Sequence, residues 1–318
     1  MNPAVRFAWF LSVVAVSIAA CKRPAATNTV PDVQHLGPLI VVAFNEASAD
    51  PDVLRGDLLG GNKTERMHAL QAMGIDSDPE LRDLWASFLR SHSGQGDDKG
   101  VMQSISGGTD QSNFGDPGSE PIVLDAGFDE LTDRPLEFRG IFVSEKGQWR
   151  HVATVACQCQ MTDMAEPFNP HPGHPDPPQE WVVSLHKRDE GAREYQRTDI
   201  RFRVRDHLLR ALIQYIGMKE TCPSGPFNSP LCTISETSLH PARLLAENGS
   251  DIAGYVLISW SGPPPPCDMC GLILRNPKCS AYLWDENAFA YVPSPLRPES
   301  CGPALPQKKP PHTIQSPR

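Results

Sequence analysis

The sequence predicts an α+β protein: a short N-terminal helical hairpin, then a disulfide-braced, mainly antiparallel β domain with one packed helix. Three observations predict this. Apolar residues recur at helical spacing between residues 50 and 91 and again between 206 and 216, whereas most of the chain after Pro121 shows short runs separated by turn residues. Proline supplies 32 of 318 residues, about one in ten against a usual ~5%, which excludes a coiled-coil architecture. Nine cysteines suit a loop-rich fold held by bridges. With 40% apolar and 21% charged residues the chain can bury a core, and a net charge of −9 argues against a nucleic-acid partner.

Residues 1–20 read as an export leader. Arg6 is the only charge, and the apolar run Phe7–Ala20 follows it. At ~1.5 Å per residue that run spans ~21 Å, short of a ~30 Å hydrocarbon core. The leader ends Ile18-Ala19-Ala20-Cys21, which resembles the lipobox of bacterial lipoproteins. The resemblance implies cleavage before Cys21, lipidation of that cysteine and attachment to a cell-envelope membrane facing the periplasm. Lys22, where an aspartate would resemble an inner-membrane retention signal, favours the outer membrane. Removing Cys21 from the count leaves eight cysteines, an even number suited to four bridges in an oxidising compartment. Residues 21–35 are polar and proline-bearing and read as a tether, with a reach of at most ~50 Å.

Residues 36–91 form the expected small helical region, entered through a buried strand, Leu39–Phe44. Asp50-Pro51 starts a short helix, and Asn62 with Glu65 has the form of a capping box opening a second, which stops at Gly74. Asp78 caps a third helix with Pro79 at its first position, and Leu81, Leu84, Trp85, Phe88 and Leu89 share one face. Arg66, Ala69, Ala72, Gly74, Asp78-Pro79 and Leu81 resemble one unit of a HEAT-type helical repeat across residues 62–91. No second copy follows at a fixed spacing, so the expectation is a single hairpin docked on the rest. Residues 92–120, with seven glycines, read as a flexible linker.

The β-rich domain is expected over 121–301, with a proline-rich disordered tail at 302–318. Phe138–Ser144 and Trp149–Val155 flank a Lys146-Gly147 turn, and Trp181–Lys187 and Tyr195–Val204 form a second hairpin. Asp206 is expected to cap a helix carrying Leu208, Leu209, Leu212, Ile213 and Ile216. Tyr255–Trp260 and Gly271–Leu274 are expected strands. In the last hairpin Trp284 is expected opposite Phe289 and Tyr282 opposite Tyr291.

Cys222 and Cys232 bracket a Pro/Gly/Ser loop and form the expected local bridge. Cys157 and Cys159 sit two apart at a strand end, so each is expected to pair elsewhere, with Cys267, Cys270, Cys279 and Cys301 completing the disulfide candidates. The same region also presents metal-ligand chemistry: Met161, Met164, His171, His174 and Asp176 beside the two thiols would suit copper or zinc. Six prolines between Met161 and Pro178 remove helical histidine spacing, so no cofactor is the leading expectation. Arg201, Arg203 and Arg205 alternate with Ile200, Phe202 and Val204, which on a strand makes an arginine stripe able to hold an anionic ligand. No nucleophile elbow, phosphate-cradling glycine loop or His-Glu-x-x-His occurs. The resulting expectation is a lipid-anchored binding or assembly module whose partner is an envelope protein or an anionic glycan or lipid; the alternative is a periplasmic copper or zinc protein.

Overall fold

The computed structural model describes residues 33–92, 109–111, 114–115, 121–128, 135–167, 179–189, 191–223, 227, 231–246, 248–263 and 277–298. Two strands, β1 (Val33–Leu36) and β2 (Leu39–Ser48), precede three helices, α1 (Pro51–Gly60), α2 (Lys63–Ala72) and α3 (Pro79–His92). The helix starts form as their sequence dictates. Asp50 accepts the Asp52 N–H, and Asn62 accepts the N–H groups of Thr64 and Glu65 while the Glu65 carboxylate takes the Asn62 N–H at 2.7 Å. Gly74 ends the second helix with φ +82°, and a Cβ there would lie 2.7 Å from the Phe44 ring, so this turn needs glycine twice over.

Strands β3 (Thr109–Gln111), β4 (Pro121–Phe128), β5 (Leu136–Glu145) and β6 (Gln148–Cys157) complete a six-stranded antiparallel sheet ordered β1-β2-β6-β5-β4-β3. The Lys146-Gly147 turn joins β5 to β6 as expected, both residues having positive φ. The remaining strands are β7 (Gln160–Pro167), β8 (Gln179–Asp189), β9 (Glu194–Arg205), β10 (Leu208–Thr221), β11 (Thr233–Leu245), β12 (Asp251–Gly262), β13 (Lys278–Asp285), β14 (Ala290–Ser294) and the short β15 (Arg297–Pro298). They form a second antiparallel sheet, ordered β14-β13-β12-β11-β10-β9-β8-β7 with β15 beside β11.

The layers follow from strand periodicity. One face of the first sheet, with Val42, Phe44, Leu124, Phe128, Phe138 and Phe142, receives the apolar sides of the helices. The face expected of α3 is the one buried: Leu81 and Phe88 are fully enclosed, and Trp85 lies 5.0 Å from the Phe128 ring. The other face, through Val41, Ile141, Val143 and Val155, packs on Trp181, Val183, Ile200 and Phe202 of the second sheet. A third cluster, Leu212, Leu239, Tyr255 and Tyr291, fills the inside of a roll in the second sheet. The mainly antiparallel β architecture with a docked helical hairpin thus forms.

Four expectations are corrected. Residues 208–216 are strand β10, so the β region has no packed helix among its described residues. Asp206 and His207 both have φ above +50° and make a two-residue hairpin turn rather than a cap. Two bulges, after Ala211 and after Ile216, displace the alternation, so buried positions fall at Leu209, Leu212, Gly217 and Glu220 and imitate a helical period. In the last hairpin, Trp284 pairs with Tyr291 and Tyr282 with Pro293, two positions from the expected register. Glu286–Phe289 form the turn, Asp285 accepts the N–H groups of Asn287 and Ala288, and Phe289 has φ 48°. A shift of two keeps every side chain on its face, so Trp284 still meets Phe289 and Tyr291 at 5.1 and 5.5 Å.

The stretch expected as a linker contributes β3 and the fully buried Phe114, which stacks on Trp181 at 5.6 Å. Strands from either side of that stretch share one sheet, because β2, from the helical region, pairs with β6. Finally, β1 begins at Val33, inside the expected tether. The leader, Cys21, the expected strand at Gly271–Leu274 and the tail lie outside the described residues.

A buried polar contact ties the end of α2 to the first sheet. His151 is 1% exposed between the rings of Phe44 and Phe142, at 4.4 and 5.0 Å. Its Nε2 donates to the Ala153 carbonyl and to Thr154 Oγ1, and that hydroxyl donates in turn to the Met73 carbonyl at the end of α2. A proton on Nε2 leaves Nδ1 unprotonated, 3.9 Å from Glu46. Burial lowers the His151 pKa, and Glu46 opposes that only in part.

Two predictions follow from this packing. Phe88→Ala should lower stability by about 3–5 kcal/mol in urea unfolding, because a fully enclosed ring is removed from between helix and sheet. For His151, the folded pKa lies below the unfolded value of ~6.5, so its contribution is intact above that pH and is lost as pH falls toward the folded pKa. His186 and His240 are shifted the same way, so the test is a difference. Between pH 7.5 and 5, His151→Phe should lose less stability than the wild type.

Candidate functional site

The arginine stripe forms on β9 as its alternation requires, with Ile200, Phe202 and Val204 facing the first sheet and Arg201, Arg203 and Arg205 facing the inside of the roll. The stripe is nevertheless not a solvated face. Arg201 and Arg203 are each 6% exposed, because the β13–β14 hairpin folds back over them. Arg201 sits 2.7 Å from Glu180 of β8 and 2.6 Å from Glu166 of β7. Tyr291 of β14 donates its hydroxyl to the other Glu180 oxygen. Arg203 donates to the Gly115 carbonyl, and both Arg203 and Arg205 lie over the Phe289 ring, at 5.8 and 4.6 Å. Arg205, the most exposed of the three, also reaches the Glu286 carbonyl and carboxylate. The chain's own acidic and aromatic residues thus occupy the position where an anionic ligand was expected.

The electrostatics of this cluster are those of a closed ion pair. Burial raises the pKa of Glu180, which is fully enclosed, while Arg201 and the Tyr291 hydroxyl draw it back. Burial works against the Arg201 charge, but Glu180, Tyr215 and Glu166 together outweigh it and keep the guanidinium protonated. Burial and the neighbouring Glu180 charge both push Tyr291 upward, so its hydroxyl stays a donor. Beside this triad, Asp199 accepts from Ser184 at 2.7 Å and meets Arg197 at 3.1 Å. A Cβ at Gly217 would fall 2.0 Å from the Asp199 carboxylate, so the β10 bulge has glycine where a carboxylate passes closest.

A second cluster around a buried cation lies between the two sheets and was not foreseen. Arg139 of β5 meets Asp125 at 3.4 Å, Glu137 at 3.2 Å and Asp163 of β7, and donates to the Met161 carbonyl. Glu137 accepts the Met161 N–H, and Asp163 accepts the Trp181 indole N–H. A signal was present: Glu137 and Arg139, opposite charges two apart, share a strand face with Ile141 and Val143, both of which belong to the core. Glu180 carried a comparable one, immediately before a run of five apolar or small residues.

The cysteines resolve part of the metal question. Cys157 and Cys159 bond to each other, contrary to the expectation that each pairs elsewhere. The chain bends at residues 158–159, between β6 and β7, and brings their Cα atoms to 5.3 Å, within bridging reach. Cys222 and Cys232 form the expected bridge, and Cys279 is disulfide-bonded as well. Cys267, Cys270 and Cys301 lie outside the described residues, as do His171, His174 and Asp176. Met161 is buried in the inter-sheet core, whereas Met164, three positions on along β7, is 52% exposed on the opposite face. The two thioethers therefore do not converge, and bonded sulfurs are poor metal ligands. Glu220, Cys222 and Cys232 bring three ligand-type atoms within 4.8 Å, but two of them are the joined sulfurs.

Removing one partner of the β8–β9 pair should expose its dependence on the other. Arg201→Ala, which leaves Glu180 enclosed without its cation, should lose about 3–5 kcal/mol in chemical denaturation. The double variant Arg201→Met, Glu180→Leu should recover most of that loss; a double variant as unstable as the single one would mean that the charge itself is required.

Comparison of the chain with protein-family models, with curated proteins and with solved structures gives no match.

Proposed function

We propose that this chain is a bacterial cell-envelope lipoprotein, anchored through Cys21, whose folded part serves as a binding or assembly module. The observation that carries the reading is the order of features in the leader: one charge, an apolar run too short to span a bilayer, two small residues and then Cys21. Disulfides support it from a different direction, since they persist in oxidising compartments such as the periplasm. Lys22 favours the outer membrane. The partner in this reading is an envelope protein, or an anionic glycan or lipid met at Arg205, which is partly exposed beside Glu286, rather than at the buried Arg201 and Arg203. A copper or zinc role would have to rest on His171, His174 and Asp176 without the thiolates of Cys157 and Cys159.

Cys21→Ser should release the protein from membranes or leave an uncleaved precursor on fractionation, and mass spectrometry of the wild-type N-terminal peptide should find an acylated cysteine. A soluble mature wild type with an unmodified Cys21 thiol would overturn the anchor. Crosslinking in intact envelopes should then identify the partner, and metal content of the isolated protein should be well below stoichiometric.

A further inference from the structure

We propose that the Cys157–Cys159 bridge is a thiol–disulfide exchange site whose partner is a dithiol, while Cys222–Cys232 is a fixed structural bridge. The two bridges differ in exposure, in the charge beside them and in chain separation. Cys157 is 0% exposed and Cys159 is partly exposed, so of the two residues Cys159 is the one on the side open to an incoming thiolate. Cys222 and Cys232 are each 2% exposed, and the buried Glu220 carboxylate lies 3.4 Å from the Cys222 sulfur. A negative group there repels an attacking thiolate and disfavours a departing one.

Chain separation points the same way. Cys157 and Cys159 are two residues apart and Cys222 and Cys232 ten, so the first bridge removes less freedom from the unfolded chain and contributes less to stability. The same short separation keeps the two thiols close after reduction, which favours closing the bridge again.

The position gives the exchange a consequence. The bridge holds the corner where the chain leaves β6 in the first sheet and enters β7 in the second. Cys157 pairs with Glu137 across the strands, and the Glu137 carboxylate holds the N–H of Met161 just beyond the corner. Reduction therefore frees the chain beside the Arg139 cluster that joins the sheets.

The step balances as ordinary exchange. A thiolate of the dithiol attacks the Cys159 sulfur and forms a mixed disulfide, and Cys157 leaves as a thiolate and takes a proton. The second thiol of the partner then attacks the mixed disulfide and displaces Cys159. The partner is oxidised to a disulfide and the Cys157–Cys159 pair is reduced by two electrons.

The test uses the folded full chain and dithiothreitol as the dithiol, with alkylation at timed intervals and peptide mapping. Cys157 and Cys159 should become alkylated together, roughly tenfold or more faster than Cys222 and Cys232. Equal rates, or reduction of Cys157–Cys159 only in denaturant, would overturn the proposal. Oxidised glutathione then tests the direction of attack: Cys157→Ser should acquire glutathione at Cys159 faster than Cys159→Ser acquires it at Cys157. The reverse order would reject Cys159 as the entry sulfur. If either variant fails to fold, timed alkylation of the wild type still decides between an exchanging and a fixed bridge.

Discussion

Arg139 is the charge around which the two sheets are assembled. A guanidinium that is 7% exposed is untenable in an apolar layer unless its charge and donors are answered, and Asp125, Glu137, Asp163 and the Met161 carbonyl surround it. Those partners come from β4, β5 and β7, so the cluster fixes the position of the second sheet's first strand against the middle of the first sheet. It also changes the free edge of β7. The Met161 N–H and C=O, which β8 does not take, are held by Glu137 and Arg139 side chains acting in place of a neighbouring strand. An edge blocked in this way is a poorer template for pairing with another chain. Hydrophobic contact between Trp181, Phe202, Ile141 and Val143 supplies most of the attraction between the layers. The ion cluster selects which arrangement of those layers is allowed.

The roll of the second sheet applies the same logic at its other end. Bulges in β10 bend the sheet until Tyr291 of β14 reaches Glu180 of β8, although five strands lie between them in the ladder. Aromatic residues of the β13–β14 hairpin then cover the arginine face of β9. A strand whose outward residues are Arg201 and Arg203 is tolerable only because carboxylates, a carbonyl and an aromatic ring arrive from elsewhere in the chain. This is why the cluster reads as architecture, and why the functional reading rests on the leader and the bridges.

Local features were legible in the sequence because their causes are local. The capping box at Asn62, the glycine stop at Gly74, the α3 face and the Lys146-Gly147 turn each depend on residues a few positions apart. So did the Cys222–Cys232 bridge. What was not legible depended on distant partners or on defects in periodicity. Two bulges gave β10 the spacing of a helix, and Asp285 with Phe289 reset a hairpin register that cross-strand aromatic pairing alone would have placed differently. Phe114 was hidden because one aromatic among glycines and serines carries no pattern, yet it fills the space beside Trp181. At the candidate site, the arginine alternation was readable, but its partners Glu166, Glu180 and Tyr291 come from three other strands, and nothing in the spacing of Arg201, Arg203 and Arg205 points to them.

Strands β10 and β11 are joined over only four residue pairs, Met218–Thr221 with Thr233–Glu236, whereas β9 and β10 run together for twelve and β11 and β12 for twelve. That narrow join, with Cys222–Cys232 just beyond it, divides the second sheet into two blocks of hairpins. The consequence is kinetic. Each block can form from contacts near in sequence, and the same is true of β5 with β6, but β2 reaches β6 across more than a hundred residues. The last structure to settle during folding is then the closure that brings β2 beside β6 and the β14 hairpin onto β8. Arg139 with Asp125 and Arg201 with Glu180 pair between neighbouring strands before that step, and the Tyr291 hydroxyl reaches Glu180 only when it is complete.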